Sequence, residues 1–145
     1  MDAPTQTEKD ALLQKITQAC QVTGMAGCWI PSGKGFDKNP HGYVRTNFHG
    51  GKILCHLAMW CLTNGKDPAR QDGDISHLCS NPSCCNPNHL CLEARQANLD
   101  RRHCPGYFYF RDDPTVAWLA CTHDPPCLVF HGVDRSSSIR LNNRE

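Results

Sequence analysis

Eight residues of this chain are metal ligands by type and spacing. Cys28, Cys79, Cys84 and His89 make one set, and Cys104, Cys121, His123 and Cys127 make a second. Three thiolates with one imidazole form a closed tetrahedral zinc site, which is a structural site because no coordination position is left open. In the run Ser76-His77-Leu78-Cys79-x4-Cys84-x4-His89, His77 stands two residues before the first cysteine of a tight cluster whose fourth ligand must come from upstream. His77 is therefore spare, and a spare histidine pinned beside a structural metal is suited to general-base chemistry. For the upstream ligand, Cys55, Cys61 and Cys85 compete with Cys28. Cys84 has the matching spacing, so the adjacent Cys85 reads as a small apolar residue facing elsewhere. The second set is compact at Cys121-x-His123-x3-Cys127, with Cys104 as its expected fourth ligand and His103 as a substitute. Cys20, Cys55, Cys61 and Cys91 read as buried free thiols.

The chain has 145 residues, enough for one domain, and its 39% hydrophobic content argues against disorder. Eleven cysteines are an odd count and cluster with histidines, and the N-terminal stretch has neither a basic nor an apolar leader region, so metal is favoured over disulfides. No apolar window approaches the roughly 20 residues of a membrane span. The expectation is an intracellular protein, nuclear if the source is eukaryotic and cytoplasmic otherwise. A formal charge of +1 is not that of a strongly basic nucleic-acid binder. Its distribution is less even: Lys34, Lys38, Arg45 and Lys52 face the single Asp37, and Arg95, Arg101 and Arg102 stand against Glu93 and Asp100. Each run taken alone reads as a solvated face.

The elements that must position these groups follow from local pattern. Thr5-x-x-Glu8 is a capping box opening a helix over about 6–19, with Ala11, Leu12, Ile16 and Ala19 on one face. The Gly-, Pro- and Asn-rich stretch 31–42 predicts a loop. Residues 43–48 predict a strand, His49-Gly50-Gly51 a turn and 52–54 the returning strand of a hairpin. A helix over 54–62 follows, ending near Asn64-Gly65, and 66–74 is a polar connection. Residues 75–78 and 89–92 predict two short strands folded together by Asn81-Pro82 and Asn86-Pro87, and 95–102 a short helix. The outcome is a ββα unit over a metal, whose binding supplies the folding energy that so short a hairpin lacks.

The string SHLCSNPSCCNPNHLCLEARQANLDRRHCPG, followed by Cys121-x-His123-x3-Cys127, resembles the zinc-binding His-Me finger (ββα-metal, HNH-like) endonucleases, in particular the homing endonucleases among them. The likeness covers about residues 28–127. GYVRTNF, with Lys52 and His56, also resembles the wider HNH pattern, in which a basic hairpin and a helix precede the histidine motif. The resemblance implies an α+β fold: a small zinc-stabilised mixed domain with a ββα-metal core, a DNA-reading β-hairpin and two structural Zn2+ sites. It implies one domain over 1–145, with a helical lead-in at 1–27, hairpin and helix at 28–74, the ββα-metal core at 75–104, the second zinc region at 105–131 and a tail at 132–145.

The same resemblance implies a Mg2+-dependent endonuclease that hydrolyses phosphodiester bonds of double-stranded DNA, site-specific in the manner of a homing enzyme. His77 matches the general base that activates water, Asn98 the side-chain ligand of the single catalytic Mg2+, and Arg45 the arginine that contacts the scissile phosphate. These types suit the chemistry: a base for water, an oxygen ligand for a hard cation, and a guanidinium for phosphate. A two-stranded ribbon over 43–54 can enter the major groove, with Arg45, Asn47 and Lys52 reaching bases or phosphates.

Three segments depart from the family, one of them the region before Cys28, which is shorter than the family's. Residues 107–120 (YFYFRDDPTVAWLA) lengthen the stretch between Cys104 and Cys121, and their aromatics read first as ordinary core packing, with an extra hairpin or a stacking surface as the alternatives. The tail after Gly132 is short and polar where the dimeric homing enzymes exchange a long one, so the homodimer is left open. Two further readings stand beside the nuclease. One is a catalytically silent zinc-stabilised DNA-binding module, the other a zinc module for protein interaction, since fold does not fix function.

Overall fold

The computed structural model describes residues 3–135. Helix α1, Gln6–Ala19, opens on the predicted capping box: Glu8 N–H donates to Thr5 Oγ1 at 3.1 Å and Thr5 N–H to Glu8 Oε1 at 3.2 Å. Its Leu12 and Ile16 are buried. The chain then makes an antiparallel hairpin of β1 (Cys20–Thr23) and β2 (Cys28–Pro31), a pair the sequence reading did not foresee. Gly24 and Gly27 turn it at φ 75° and 77°, a region that costs glycine nothing.

Strand β3 (Phe36–Lys38) lies inside the stretch predicted as a loop. Gly33 and Gly35, at φ 102° and 93°, swing three residues alongside β4 (Val44–Phe48), too few to show a period of two in sequence. With β5 (Gly51–Leu54) they make a three-stranded antiparallel sheet, and the β4–β5 hairpin matches the expectation within a residue or so. Helix α2 (Cys55–Thr63) follows at once and ends at Asn64 and Gly65, the latter at φ 66°.

The ββα unit is built from β6 (Asp74–His77), β7 (Leu90–Glu93) and α3 (Arg95–Asp100). β6 and β7 pair antiparallel, Asp74 opposite Glu93 and His77 opposite Leu90. A 3-10 turn over Arg101–His103 continues α3. The last sheet holds β8 (Tyr107–Phe110) between antiparallel β9 (Asp113–Leu119) and parallel β10 (Phe130–Val133). Residues 107–120 therefore form a hairpin and not core: Val116, Trp118 and Leu119 are 50%, 38% and 52% exposed, because β9 is an edge strand with nothing over it.

The core lies between α1, α2 and β4. It contains Leu12, Ile16, Val44, Cys55, Ala58, Met59 and Cys85, flanked by Trp29, Phe36 and Phe48. Cys85 is apolar filling as expected, and its N–H donates to the Trp29 carbonyl at 2.8 Å, tying the ligand loop to β2. Of the cysteines expected to be buried free thiols, Cys55 and Cys61 are buried, whereas Cys20 and Cys91 are half-buried. The chain is thus a mixed α+β domain of small sheets around two cysteine–histidine clusters. Among the described residues no helix is long and apolar enough to cross a membrane. The exchange or not of the tail, 136–145, lies outside the described residues.

Candidate active site and metal centres

Turn chemistry gathers the first ligand set. Cys79 is followed by Ser80 in the left-handed region at φ 56°. Asn81 Oδ1 then accepts from Ser83 N–H at 3.0 Å, and Asn86 Oδ1 from Asn88 N–H at 3.0 Å, two side-chain-closed turns that fold the loop twice. Asn86 Nδ2 also donates to the Gly27 carbonyl at 3.1 Å, which holds the β1–β2 turn so that Cys28 reaches the cluster. The ligand atoms of Cys28, Cys79, Cys84 and His89 all lie within 4.8 Å of one another. Cys55, Cys61 and Cys85 take no part.

The second set closes in the same manner. Cys104, Cys121, His123 and Cys127 have their ligand atoms within 4.8 Å, and His103 is not among them. Gly106, at φ 66°, accepts from Ala120 N–H at 2.8 Å and Cys121 N–H at 3.1 Å, bringing both ends of the β8–β9 hairpin beside Cys104. A side chain there would collide with the Val129 carbonyl.

Both sets fit zinc. Ideal tetrahedral coordination at Zn–S and Zn–N bond lengths places sulfur and nitrogen about 3.6 Å apart. The Sγ to His Nδ1 separations are 3.7 Å for Cys28, 3.4 Å for Cys84, 3.3 Å for Cys121 and 3.6 Å for Cys127. Each cluster also holds a thiol disposed to ionise. The hydrogen bond from Cys79 pulls Cys84 down to about 5. Burial works against ionisation of Cys121, but N–H donors of Cys127 and His123 outweigh it and bring that thiol to about 6. Thiolate is the form that binds metal.

Beside the first cluster opens a cleft of about 520 Å3 whose lining includes His41, Tyr43, His77, Asn98, Arg101 and Arg102. His77 ends β6 with Nε2 at 2.9 Å from the Cys84 carbonyl oxygen. A carbonyl only accepts, so Nε2 carries the hydrogen and Nδ1 keeps its lone pair. Burial lowers the pKa of His77, a larger effect than the upward pull of the Cys84 carbonyl, and favours the neutral ring that a base requires. The ring is held by two others: His56 at 4.5 Å and Tyr43 at 5.9 Å between centroids, with Tyr43 stacked on His56 at 5.1 Å. His56 is buried, its pKa pushed down to about 3 by burial and then by His77, and its Nδ1 has no hydrogen-bond partner among the described residues.

Asn98, on α3, donates from Nδ2 to Asp74 Oδ2 at 3.2 Å. The carboxylate fixes the amide orientation and leaves Oδ1, a hard oxygen donor, for another partner. Arg101 behaves differently from the other cations. Its Nε and one terminal nitrogen clasp Glu93 at 2.6 and 2.9 Å, and its remaining hydrogens reach the Pro125 carbonyl at 2.7 Å, Cys127 Sγ at 3.4 Å and Cys91 Sγ at 3.9 Å. All five donors are used within the protein.

The structure does not bring Arg45 into this cleft. Its Nε donates to Asp37 Oδ1 at 2.8 Å, and Lys52 Nζ is bonded to the other oxygen of the same carboxylate. The addition of β3 to the sheet, unforeseen in sequence, sets Asp37 directly opposite Arg45. Arg45, Asn47 and Lys52 do share the outward face of the hairpin, since Asn47 pairs with Lys52 and Val44 and Thr46 point inward. Sequence reasoning missed Tyr43, His41 and Arg102 as cleft residues. The signal available was the tyrosine within the GYVR string and the doubled arginine after Asn98.

A family model described as the zinc-binding loop region of homing endonuclease matches residues 27–138, a span that takes in both ligand sets and the cleft. The chain belongs to that family. Among curated proteins, Protein 2.8 of Escherichia phage T7 is 32% identical to this chain over 87 residues. That alignment covers 60% of this chain and 56% of the phage protein, so the chain spans just over half the length of that relative. No solved structure matches.

Proposed function

We propose that this chain is a metal-dependent endonuclease hydrolysing phosphodiester bonds of double-stranded DNA. One observation carries the reading: His77 is held by Cys84 in the tautomer that presents a basic Nδ1, in the same cleft as an Asn98 whose amide is oriented by Asp74. A pure binding module has no use for either restraint. In the reaction His77 Nδ1 takes a proton from a water, whose oxygen attacks phosphorus. The bond from phosphorus to the 3′ oxygen breaks, and that oxygen leaves, taking up a solvent proton. Asn98 Oδ1 is the side-chain oxygen that would hold a Mg2+, which when bound would supply Lewis-acid stabilisation of the charge gathering on the phosphate. One neutral protein oxygen is a weak site alone, so cation and substrate bind together. Tyr43 and His56 keep the His77 ring in plane.

The β4–β5 hairpin is the proposed reading element, with Arg45, Asn47 and Lys52 directed at the groove. Asp37 must yield Arg45 and Lys52 to phosphate when DNA arrives, an exchange of one anion for another that makes affinity depend on salt. The zinc sites hold the ββα unit and take no part in the chemistry. The test is plasmid cleavage in Mg2+ by the wild type, His77→Ala and Asn98→Ala, with zinc measured in each. Cleavage lost in both variants at two zincs per chain supports the assignment. A wild type that shifts DNA and never cuts it refutes the enzyme and leaves the silent DNA-binding module.

A further inference from the structure

A second groove, of about 360 Å3, opens next to the catalytic cleft and shares two of its residues, Ser80 and Arg102. Its other lining includes His103, Phe108 and His131. Phe108 and His131 pair across the parallel β8–β10 ladder with ring centroids 5.4 Å apart, and Phe108 pairs on its other side with Trp118 of β9. Residues in register share a sheet face. The three side chains therefore share a face across three strands: the rings of Phe108 and His131 meet, while the Trp118 ring, 38% exposed, packs edge-on against Phe110. A sheet carrying such a row on an open face, in place of the usual polar one, is a surface with unspent stacking capacity.

The cations are equally uneven. Arg101 has no donor left, and Arg45 and Lys52 are held by Asp37. Arg102 is exposed, lines both grooves, and makes no hydrogen bond or ion pair among the described residues. An uncommitted guanidinium at the boundary between a hydrolytic cleft and an aromatic row is the combination that tracks a nucleic-acid backbone while its bases stack.

We infer that this groove is a subsite for an unpaired nucleotide flanking the scissile phosphate, with Arg102 on its phosphate and Phe108 and His131 against its base. The inference rests on the nuclease reading and adds a substrate preference to it: duplexes frayed, gapped or single-stranded next to the cut are favoured over fully paired ones. Arg102 is charge-bearing and sequence-neutral here, and the aromatic row tolerates any base because every base has a π face.

The test is made in a His77→Ala background, so that binding is read without cutting. The probes are a blunt duplex and the same duplex bearing a short single-stranded overhang, followed by fluorescence anisotropy across a salt series. The parent is expected to prefer the overhang. Phe108→Leu, which keeps strand packing and removes the π face, is expected to lose that preference, by about tenfold on the overhang probe and not on the blunt one. Arg102→Gln is expected to weaken both and to lower the salt slope by about one. Zinc content at two per chain certifies each fold. Equal binding of both probes by the parent, or Phe108→Leu indistinguishable from it, overturns the subsite. Wild-type plasmid cleavage is measured in parallel and fails or succeeds independently: a protein that cuts without overhang preference loses only the subsite, and one that shows the preference without cutting loses only the nuclease.

Discussion

Arg101→Met is the most informative single substitution in this fold. The Arg101 and Glu93 side chains are 4% and 13% exposed, and the pair links β7, through Glu93, to the turn after α3. Removing the guanidinium leaves a nearly buried carboxylate without its counter-charge, which costs about 3–5 kcal/mol. Against a total stability of about 5–15 kcal/mol for a small domain, that is a large fraction. At a urea dependence of about 2 kcal/mol/M it lowers the unfolding midpoint by about 2 M. The assay is urea denaturation in saturating zinc, followed by circular dichroism. Glu93→Leu added to Arg101→Met removes the orphaned charge and should return most of the loss, because an apolar pair in place of a buried ion pair is close to neutral. The lost contacts to Pro125 O and Cys127 Sγ are not returned by that second change. Zinc affinity at the second site should therefore fall about 10- to 100-fold in both the single and the double variant, read by competition with a chromophoric chelator. A single variant that costs under about 1 kcal/mol, or a double variant no more stable than the single, refutes the account of Arg101 as a charge-matched brace.

Four further outcomes follow from the geometry. Asp74→Ala frees the Asn98 amide and should reduce cleavage in Mg2+ about 10- to 100-fold at unchanged zinc content, as loss of an orienting partner does at other metal sites; unchanged rates across a Mg2+ titration would remove Asp74 from the assignment. Tyr43→Ala withdraws the one ring that lies 5.1 Å from His56 and 5.9 Å from His77, so turnover should fall while Tyr43→Phe, which keeps the stack, stays near wild type. Stripping zinc with a strong chelator should abolish the near-ultraviolet dichroism, because apparent zinc binding of about 10–16 kcal/mol is comparable with the whole stability of the domain, and Zn2+ but not Mg2+ should restore it. Thr5→Ala should cost about 1 kcal/mol through the α1 cap and leave cleavage untouched, since no α1 residue is in the cleft lining.

What was legible in the sequence was whatever is encoded by short-range spacing. The ligand sets could be read because one ion needs cysteines and histidines close together along the chain, and α1 because a capping box is a four-residue signal. Cys28 was legible only as one of several upstream thiols, and the Asn86 to Gly27 bond that selects it is a tertiary event. β3 escaped because three residues carry no period, and its absence from the prediction hid the Asp37 carboxylate that holds Arg45. Arg101 read as part of a solvated charge run. Its partner Glu93 lies on the preceding strand, and only the packing of α3 against β6, with the Arg101–Glu93 ion pair, shows that the run is divided, one arginine buried and the next free. The 107–120 aromatics carried the composition of a core with the exposure of a surface, a distinction that depends on which strand finishes at the edge.

The β8–β9 hairpin is enclosed by ligands of a single ion, Cys104 before it and Cys121 after it, with Gly106 drawing both ends together. Such a segment is bracketed: its ends are held by the metal whatever lies between them, and the entropy of closing a loop grows only with the logarithm of its length. The second cluster thus acts as a socket into which hairpins of different length and face can be fitted while the cleft stays as it is. If the proposed subsite holds, exchange of this one cassette changes substrate preference while His77 and Asn98 stay as they are.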